Sequence, residues 1–165
     1  MNNGEAELML SRDERLEIEE ELKGREFKRA ASIDALKVVQ RRRGWVDDQG
    51  LQDVAAILEM TPSELDSVAT FYNLIFRRPV GSHVILVCNT ISCWMMGCDN
   101  LLKRLSDRLG VPLGATSSDG EFTLLPVPCL GACDQSPVMM VDGKLYGGLT
   151  PEKVDEVLKE HGWKG

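Results

Sequence analysis

The chain has 165 residues, of which 43% are hydrophobic and 27% are charged. This length and composition are typical of a globular protein with one domain, or with a small domain and a helical appendage. The formal net charge of −7 argues against nucleic-acid binding, because an acidic chain neutralises few phosphates. The sequence shows no apolar leader and no run of about 18 apolar residues, so we predict no membrane insertion and a cytoplasmic location.

The first half of the chain predicts four short helices after a frayed tail over residues 1–10. Apolar residues recur at helical spacing in these segments. The fourth helix has the clearest start, since Thr61 can cap it, Pro62 suits its first position and Glu64 completes a capping box. Because short helices are stable only when they pack together, we predict a four-helix unit. The first three helices are predicted over residues 12–23, 31–42 and 50–59.

The fourth helix is expected to bury one apolar face against the other three. Leu65, Val68, Ala69 and Tyr72 fall on that face at helical spacing. The aromatic residues at the end of this helix are also interpreted as core, with a partner interface as the alternative. These residues are Phe71, Tyr72 and Phe76.

Charged residues are unevenly distributed over the first half. Arg41, Arg42 and Arg43 end the second helix, and five glutamates crowd the first. We interpret the arginines as cations that stabilise a helix C-terminus through its dipole, and the glutamates as a solvated helix face. A docking patch for a partner is the alternative. The glutamates are Glu14, Glu17, Glu19, Glu20 and Glu21.

The pattern changes at residues 79–82, and strands appear in the second half. Residues 84–87 form a short apolar run rich in β-branched side chains, which is typical of a buried strand. Asp142 and Gly143 give a hairpin turn signal between two later strands. The predicted order is strand, helix, three strands and a helix, a small α/β layered design of the thioredoxin type. The later elements are predicted over residues 101–109, 122–127, 138–141, 144–146 and 150–160.

Four of the five cysteines fall into two closely spaced pairs. Cys88 and Cys93 form C-x4-C, in which Cys88 closes the first strand and Cys93 lies in the loop after it. Cys129 and Cys133 form C-x3-C and flank the loop after the second strand. Loops beyond the carboxyl ends of strands gather ligands in α/β sheets, so both pairs are expected at one end. Such spacing suits a 2Fe–2S cluster, which takes two thiolates on each iron. Gly131 is expected to adopt a positive φ that brings backbone N–H groups close to sulfur.

Other assignments stay open at this point. Four thiolates also suit structural zinc, although zinc prefers tight knuckles in both pairs, and the thiols could be unrelated. Thiol redox catalysis is disfavoured because the chain has no C-x-x-C motif, and a Rieske site needs two ligating histidines. His83 and His161 belong to no cysteine motif and are interpreted as surface or strand-edge residues. Cys98 is interpreted as a partly buried thiol, with substitution for Cys88 or Cys93 as the alternative.

Several segments taken together resemble a single known family. They are residues 30–36, Gly44-Trp45-Val46, residues 68–72 (Val-Ala-Thr-Phe-Tyr), both cysteine motifs, Pro137 and Met139-Met140. The family is the small 2Fe–2S subunit of the NADH dehydrogenase module of respiratory complex I, the NuoE type. The resemblance covers nearly the whole chain, from about residue 11 to residue 160, and the paired cysteine motifs are its most specific part.

The resemblance implies a fold and a ligand set. It implies an α+β architecture with an N-terminal helical bundle over residues 1–80, followed by a thioredoxin-like 2Fe–2S ferredoxin domain over residues 81–165. One 2Fe–2S cluster is implied. Its ligands would be Cys88 and Cys93 on one iron, and Cys129 and Cys133 on the other.

The resemblance also implies a partner and an activity. The partner would be a larger flavoprotein subunit that binds FMN and NADH, within a peripheral arm that reaches the inner membrane through the complex. The chain would exchange electrons with that flavin as a subunit of NADH:quinone oxidoreductase, with no complete active site of its own. Similar subunits serve NAD-linked hydrogenases and formate dehydrogenases, which are one alternative, and a zinc-stabilised binding module is another.

Overall fold

A computed structural model describes residues 9–165 of the chain. The chain divides into two compact units, Met1–Pro79 and Val80–Gly165. That these units are separate domains with the boundaries expected from sequence stays a prediction. The first eight residues of the predicted frayed tail lie outside the described part. Within the described part, no helix has both the length and the hydrophobicity needed to cross a membrane.

Over residues 9–79, the first unit contains four α-helices and one short 3₁₀ helix. They are α1 (Arg12–Leu22), the 3₁₀ helix (Lys28–Ala31), α2 (Ser32–Arg43), α3 (Asp48–Leu58) and α4 (Pro62–Phe71). The four predicted helices are confirmed. The predicted capping box of Thr61 and Glu64 forms at the start of α4, and Ser11 forms another with Glu14 at α1. The third helix begins earlier than predicted, because the Asp47 side chain caps it by accepting from the Gly50 N–H.

The inward faces of these helices form the core of the first unit. Ile18, Leu36 and Leu65 are among its fully buried side chains. Leu10 is buried as well, and its backbone N–H donates to the carboxylate of Asp53 at 3.0 Å. The prediction of a frayed tail is therefore wrong at residue 10, because a buried acceptor on α3 fixes the backbone there.

Two of the three aromatic residues predicted as core near the end of α4, Phe71 and Tyr72, lie outside this core, whereas Phe76 is half-buried. Phe71 and Tyr72 are 80% and 44% exposed and contact each other edge to face, with ring centroids 5.2 Å apart. The prediction that they are core residues is wrong. The helix ends at Phe71 and Tyr72 has an extended backbone, so helical spacing no longer determines where Tyr72 points. The buried residues of α4 are Leu65 and Ala69.

Charged residues of α1 and α2 form ion pairs across the two helices. Glu14 is buried, and its carboxylate accepts hydrogen bonds from Arg43 Nε at 2.7 Å and Nη2 at 2.9 Å. The Arg43 guanidinium lowers the pKa of Glu14 to about 2. Glu17 accepts from Arg42 in a more exposed pair. The predicted solvated face is thus wrong at Glu14, because the fold brings a basic helix end against an acidic helix.

Over residues 80–165, the second unit contains a four-stranded sheet with three α-helices. In chain order the elements are β1 (His83–Cys88), α5 (Ile91–Met95), α6 (Cys98–Leu109), β2 (Phe122–Val127), a 3₁₀ helix (Cys133–Gln135), β3 (Met139–Val141), β4 (Lys144–Tyr146) and α7 (Pro151–Glu160). The order of strands in the sheet is β2-β1-β3-β4. The predicted succession of strands and helices is confirmed, with the short helix α5 as an addition.

The pairing of β1 with β2 determines where the cysteine loops leave the sheet. The two strands are parallel, and Cys88 pairs with Val127 at their carboxyl ends. The loop after each strand therefore begins at the same edge of the sheet. Strand β3 runs antiparallel on the other side of β1, pairing Val87 with Met139. The side chains of Ile85, Leu105, Leu124, Met139 and Leu158 are fully buried in the core of this unit.

Candidate metal centre

The four paired cysteines lie at this edge of the sheet. Cys88 is the last residue of β1, and Cys133 begins the 3₁₀ helix that follows β2. Cys88 and Cys93 are buried, whereas Cys129 and Cys133 are exposed. Cys93 lies within α5, so the prediction that it sits in a loop is wrong. The backbone carbonyl of Thr90 accepts the first bond of that helix, from the Trp94 N–H at 2.8 Å.

The two loops that carry the cysteine pairs are in contact. The Cys88 sulfur lies 3.8 Å from the carbonyl oxygen of Pro128, the residue before Cys129. The Cys93 sulfur lies 3.6 Å from the hydroxyl oxygen of Ser136, and that hydroxyl also donates to the Cys133 carbonyl at 2.8 Å. Each early cysteine is therefore in contact with the loop that carries the late pair.

An apolar cluster encloses the inner side of this site. Its buried members are Cys88, Cys93, Cys98, Ala132 and Val138. Cys98 is the first residue of α6 and is 1% exposed, so it is more deeply buried than predicted. Burial raises the pKa of the Cys98 thiol. The neutral thiol is therefore favoured, and Cys98 forms part of the wall of the site.

Hydrogen-bond donors reach the sulfurs from the backbone and from side chains. Gly131 has a φ of +76°, and its N–H donates to the Cys129 sulfur at 3.3 Å, which confirms the expectation from sequence. The Thr90 hydroxyl lies 3.2 Å from the Cys88 sulfur. Hydroxyl residues Thr90 and Ser136 were not predicted as part of the site. The sequence offered one signal for each: Thr90 lies between Cys88 and Cys93, and Ser136 follows Cys133 by three residues.

The thiols of the first pair differ in their ionisation. Burial opposes ionisation of Cys88, but hydrogen bonds from Thr90, from Cys93 and from the Leu130 backbone together outweigh it and lower the pKa of this thiol. Burial raises the pKa of Cys93. The thiolate is the form that ligates metals, and the hydrogen bonds to Cys88 favour that form.

The two histidines meet at the opposite end of β1. The rings of His83 and His161 lie 5.3 Å apart, and Nδ1 of His83 is 2.6 Å from a carboxylate oxygen of Asp142. Strand β1 separates His83 from Cys88, a length of ~17 Å at about 3.3 Å per residue. This arrangement provides no histidine pair beside the cysteines, as a Rieske centre would require.

Comparison with known proteins decides the family. The sequence profile of the thioredoxin-like [2Fe-2S] ferredoxins matches residues 18–162. The chain belongs to the thioredoxin-like [2Fe-2S] ferredoxin family. The α+β fold with a thioredoxin-like second half, predicted from sequence, is thereby confirmed.

Relatives within this ferredoxin family cover almost the whole chain. One NADH-quinone oxidoreductase subunit of Pseudomonas aeruginosa is 44% identical over 153 residues, which are 93% of this chain and 92% of that protein. The subunit of the same name from Escherichia coli K12 is 45% identical over 152 residues, 92% of each chain. The predicted resemblance to this type of subunit is confirmed.

A solved structure shares the fold at lower sequence identity. It is a chain of an NAD+-reducing [NiFe]-hydrogenase, with a TM-score of 0.70 and 21% identity. The match covers 79% of this chain and 22% of the hydrogenase chain. It supports the architecture described above.

The residues at the edge of the sheet that carries the four paired cysteines fit a 2Fe–2S cluster, the cofactor after which the family is named. Within residues 9–165, no three His, Cys, Asp or Glu side chains come together as ligands of a single metal ion. A 2Fe–2S cluster instead takes two thiolates on each of two irons, so its four sulfurs surround a group several ångströms across. Two cysteine pairs on facing loops, with N–H and O–H donors directed at sulfur, have the chemistry for such a group.

Proposed function

We propose that this chain is the electron-transfer subunit of an NADH:quinone oxidoreductase and holds one 2Fe–2S cluster on Cys88, Cys93, Cys129 and Cys133. The observation that carries the proposal is the convergence of two cysteine loops at the paired carboxyl ends of β1 and β2. This convergence occurs in a chain that is 44–45% identical to proteins named as subunits of NADH-quinone oxidoreductase.

Each cysteine pair has a distinct role in holding the cluster. When bound, the cluster takes up and returns one electron at a time. Cys88 and Cys93 give the site a buried side that excludes water. Cys129 and Cys133 give it an exposed side. Gly131 donates a hydrogen bond to the Cys129 sulfur, and the Thr90 hydroxyl would donate one to Cys88 as a thiolate. Both hydrogen bonds favour the more negatively charged state of the cluster.

The partner in this proposal is a larger flavoprotein subunit that binds FMN and NADH, together with the rest of the peripheral arm. The names of the relatives, as subunits of an oxidoreductase, support membership of a multi-subunit complex. The complex would lie in the cytoplasm and be peripheral to the inner membrane. A diaphorase subunit of an NAD-linked hydrogenase or formate dehydrogenase is the second candidate. The hydrogenase shares the fold at only 21% identity, so the first candidate is better supported.

Purification of the native complex tests the assignment to this oxidoreductase. The full chain, tagged at its natural locus, is isolated with its bound subunits, which are identified by mass spectrometry. We expect an FMN-containing, NADH-oxidising subunit and NADH-driven quinone reduction. Isolation with hydrogenase or formate dehydrogenase subunits, and without quinone reduction, would contradict this assignment and support the second candidate.

A further inference from the structure

The chain's two histidines lie together at the end of β1 that is opposite the cysteines. His83 is the first residue of β1, and His161 follows the last residue of α7. Their ring centroids are 5.3 Å apart, and the ring planes cross at 79°. Both residues are half-buried, so a dissolved ion can reach them. The pair takes no part in the proposed electron transfer, because the length of β1 separates it from Cys88.

Hydrogen bonds fix the same tautomer in both rings. Nδ1 of His161 lies 2.9 Å from the carbonyl oxygen of Val157, which can only accept, so this Nδ1 carries the proton. Nδ1 of His83 lies 2.6 Å from one carboxylate oxygen of Asp142. The other oxygen of that carboxylate accepts the Val84 N–H at 2.8 Å. In each neutral ring the second nitrogen, Nε2, therefore keeps its lone pair for another partner.

This pattern is typical of histidines that bind metal ions. A metal-ligating histidine almost always donates its other N–H to a carboxylate or to a backbone carbonyl, which orients the ring and makes it more basic. His83 makes the carboxylate contact, and His161 makes the carbonyl contact. Over residues 9–165, no hydrogen bond engages either Nε2.

The separation of the two rings agrees with that of two imidazoles on one ion. A zinc–nitrogen bond of about 2.0–2.1 Å places the ion ~3.2 Å from the centroid of each ligating ring. Two rings at the tetrahedral angle around one ion then have centroids ~5 Å apart. The observed distance of 5.3 Å is close to this value.

The charges around the rings favour a cation. Asp142 contacts His83, and Glu160 precedes His161 in the chain. Lys144 is the cation of this group and pairs with Glu160 at 2.7 Å, which leaves one carboxylate in excess. No third His, Cys, Asp or Glu side chain of the described residues joins the pair as a ligand. Water would therefore complete the coordination, as it does in open zinc sites.

We propose that Nε2 of His83 and Nε2 of His161 form a second metal site, which binds a divalent transition-metal ion of the zinc class. Imidazole nitrogen suits zinc, copper and nickel, whereas magnesium and calcium prefer oxygen ligands. A bound ion joins the start of β1 to the end of α7. Because it binds only where the fold brings the two rings together, it stabilises the folded state.

The test measures zinc binding to the untagged full chain by isothermal titration calorimetry, with the iron–sulfur content measured first. The test variants are His83→Gln and His161→Gln. Glu156→Gln is the control, because Glu156 is an exposed acidic residue of the same helix α7. We expect one zinc ion per chain at this site and a dissociation constant that rises at least ~30-fold in each histidine variant. The control should change it less than about 2-fold, and zinc should raise the melting temperature of the wild type only.

Copper supplies a readout that does not depend on the variants. EPR of the wild type with one equivalent of Cu²⁺, recorded with the protein oxidised, should show coupling to two imidazole nitrogens. A spectrum without that coupling would overturn the proposal, even where a histidine variant fails to fold. So would zinc binding that is absent at about 1 mM, or that survives in either histidine variant. A chain that lacks iron and sulfide would contradict the proposed function and leave this site to be decided by the histidine variants.

Discussion

The thiol sulfur of Cys88 lies 3.2 Å from the hydroxyl oxygen of Thr90. The same residue precedes α5, and its backbone carbonyl accepts the Trp94 N–H at 2.8 Å. Thr90 therefore connects the end of β1 with the helix that carries Cys93. Its side chain contacts one predicted ligand, and its backbone positions the next.

Replacing Thr90 by Val should lower the reduction potential of the cluster. A hydrogen bond to a ligand sulfur stabilises the reduced state more, because that state carries more negative charge. We expect a decrease on the order of 40 mV, the equivalent of ~1 kcal/mol for a one-electron couple. The potential is read from a redox titration followed by EPR. Thr90→Ser, which keeps the hydroxyl, is the control, and an unchanged potential in a cluster-loaded Thr90→Val protein would contradict the role of this hydrogen bond.

Serine substitution should distinguish the cysteines that bind the cluster from Cys98, which only lines the site. Cys88→Ser and Cys129→Ser should lose or destabilise the cluster, because oxygen is a poorer ligand than sulfur for a soft metal centre. Cys98→Ser should leave the visible spectrum nearly unchanged. The measurement is iron content and absorbance per chain. If Cys98→Ser bleaches the protein and Cys93→Ser does not, the proposed ligand set is wrong.

Replacing Gly131 by Ala should destabilise the loop between Cys129 and Cys133, because alanine disfavours the backbone conformation found there. Gly131 has a φ of +76°, and an added Cβ would meet no atom within 4 Å. The cost is therefore the left-handed conformation, about 1 kcal/mol for an L-residue. Gly114, at +90° and equally open, gives the matched control outside both cysteine loops. We expect faster loss of cluster absorbance in air for Gly131→Ala than for Gly114→Ala, and equal rates would argue against a local role.

The buried pair of Glu14 and Arg43 should make stability depend on pH. Because the pKa of Glu14 falls from 4.5 to about 2 on folding, its stabilisation is present above pH 4.5 and is lost as pH falls toward 2. The loss is on the order of 3 kcal/mol in the free energy of unfolding. Glu14→Gln should therefore be less stable than the wild type at pH 6, and the difference should shrink at pH 3.

Comparing the two proteins at each pH cancels the acid sensitivity that both share. Chemical denaturation gives the free energy of unfolding. Glu17→Gln is the control, since Glu17 pairs with Arg42 in a more exposed position and such pairs contribute about 0–1 kcal/mol. A Glu14→Gln effect that is the same at pH 6 and pH 3 would show that this carboxylate is not the titrating group.

Local signals in the sequence predicted the elements that position the site. The Thr61–Glu64 capping box, the apolar run of β1 and the spacing of the cysteines each depend on neighbouring residues alone. Helix α5 was missed because five residues are too few to show helical periodicity. The C-x4-C spacing of Cys88 and Cys93 was therefore visible in the sequence, but the helix that carries Cys93 was not.

Features that depend on distant residues were predicted poorly. Glu14 and Arg43 are 29 residues apart, and no local pattern indicates that they meet in a buried pair. The end of α4 was misjudged because Tyr72 continues the apolar pattern while its backbone leaves the helix. The contact of Ser136 with Cys93 spans 43 residues and follows only from the parallel pairing of β1 with β2.

Iron and acid-labile sulfide analysis of the full chain, with EPR after reduction, tests whether Cys88, Cys93, Cys129 and Cys133 hold a 2Fe–2S cluster. We expect two irons and two sulfides per chain, visible absorption, and an EPR signal from one unpaired electron after one-electron reduction. A colourless protein that holds one zinc per chain and gives no EPR signal would contradict this expectation.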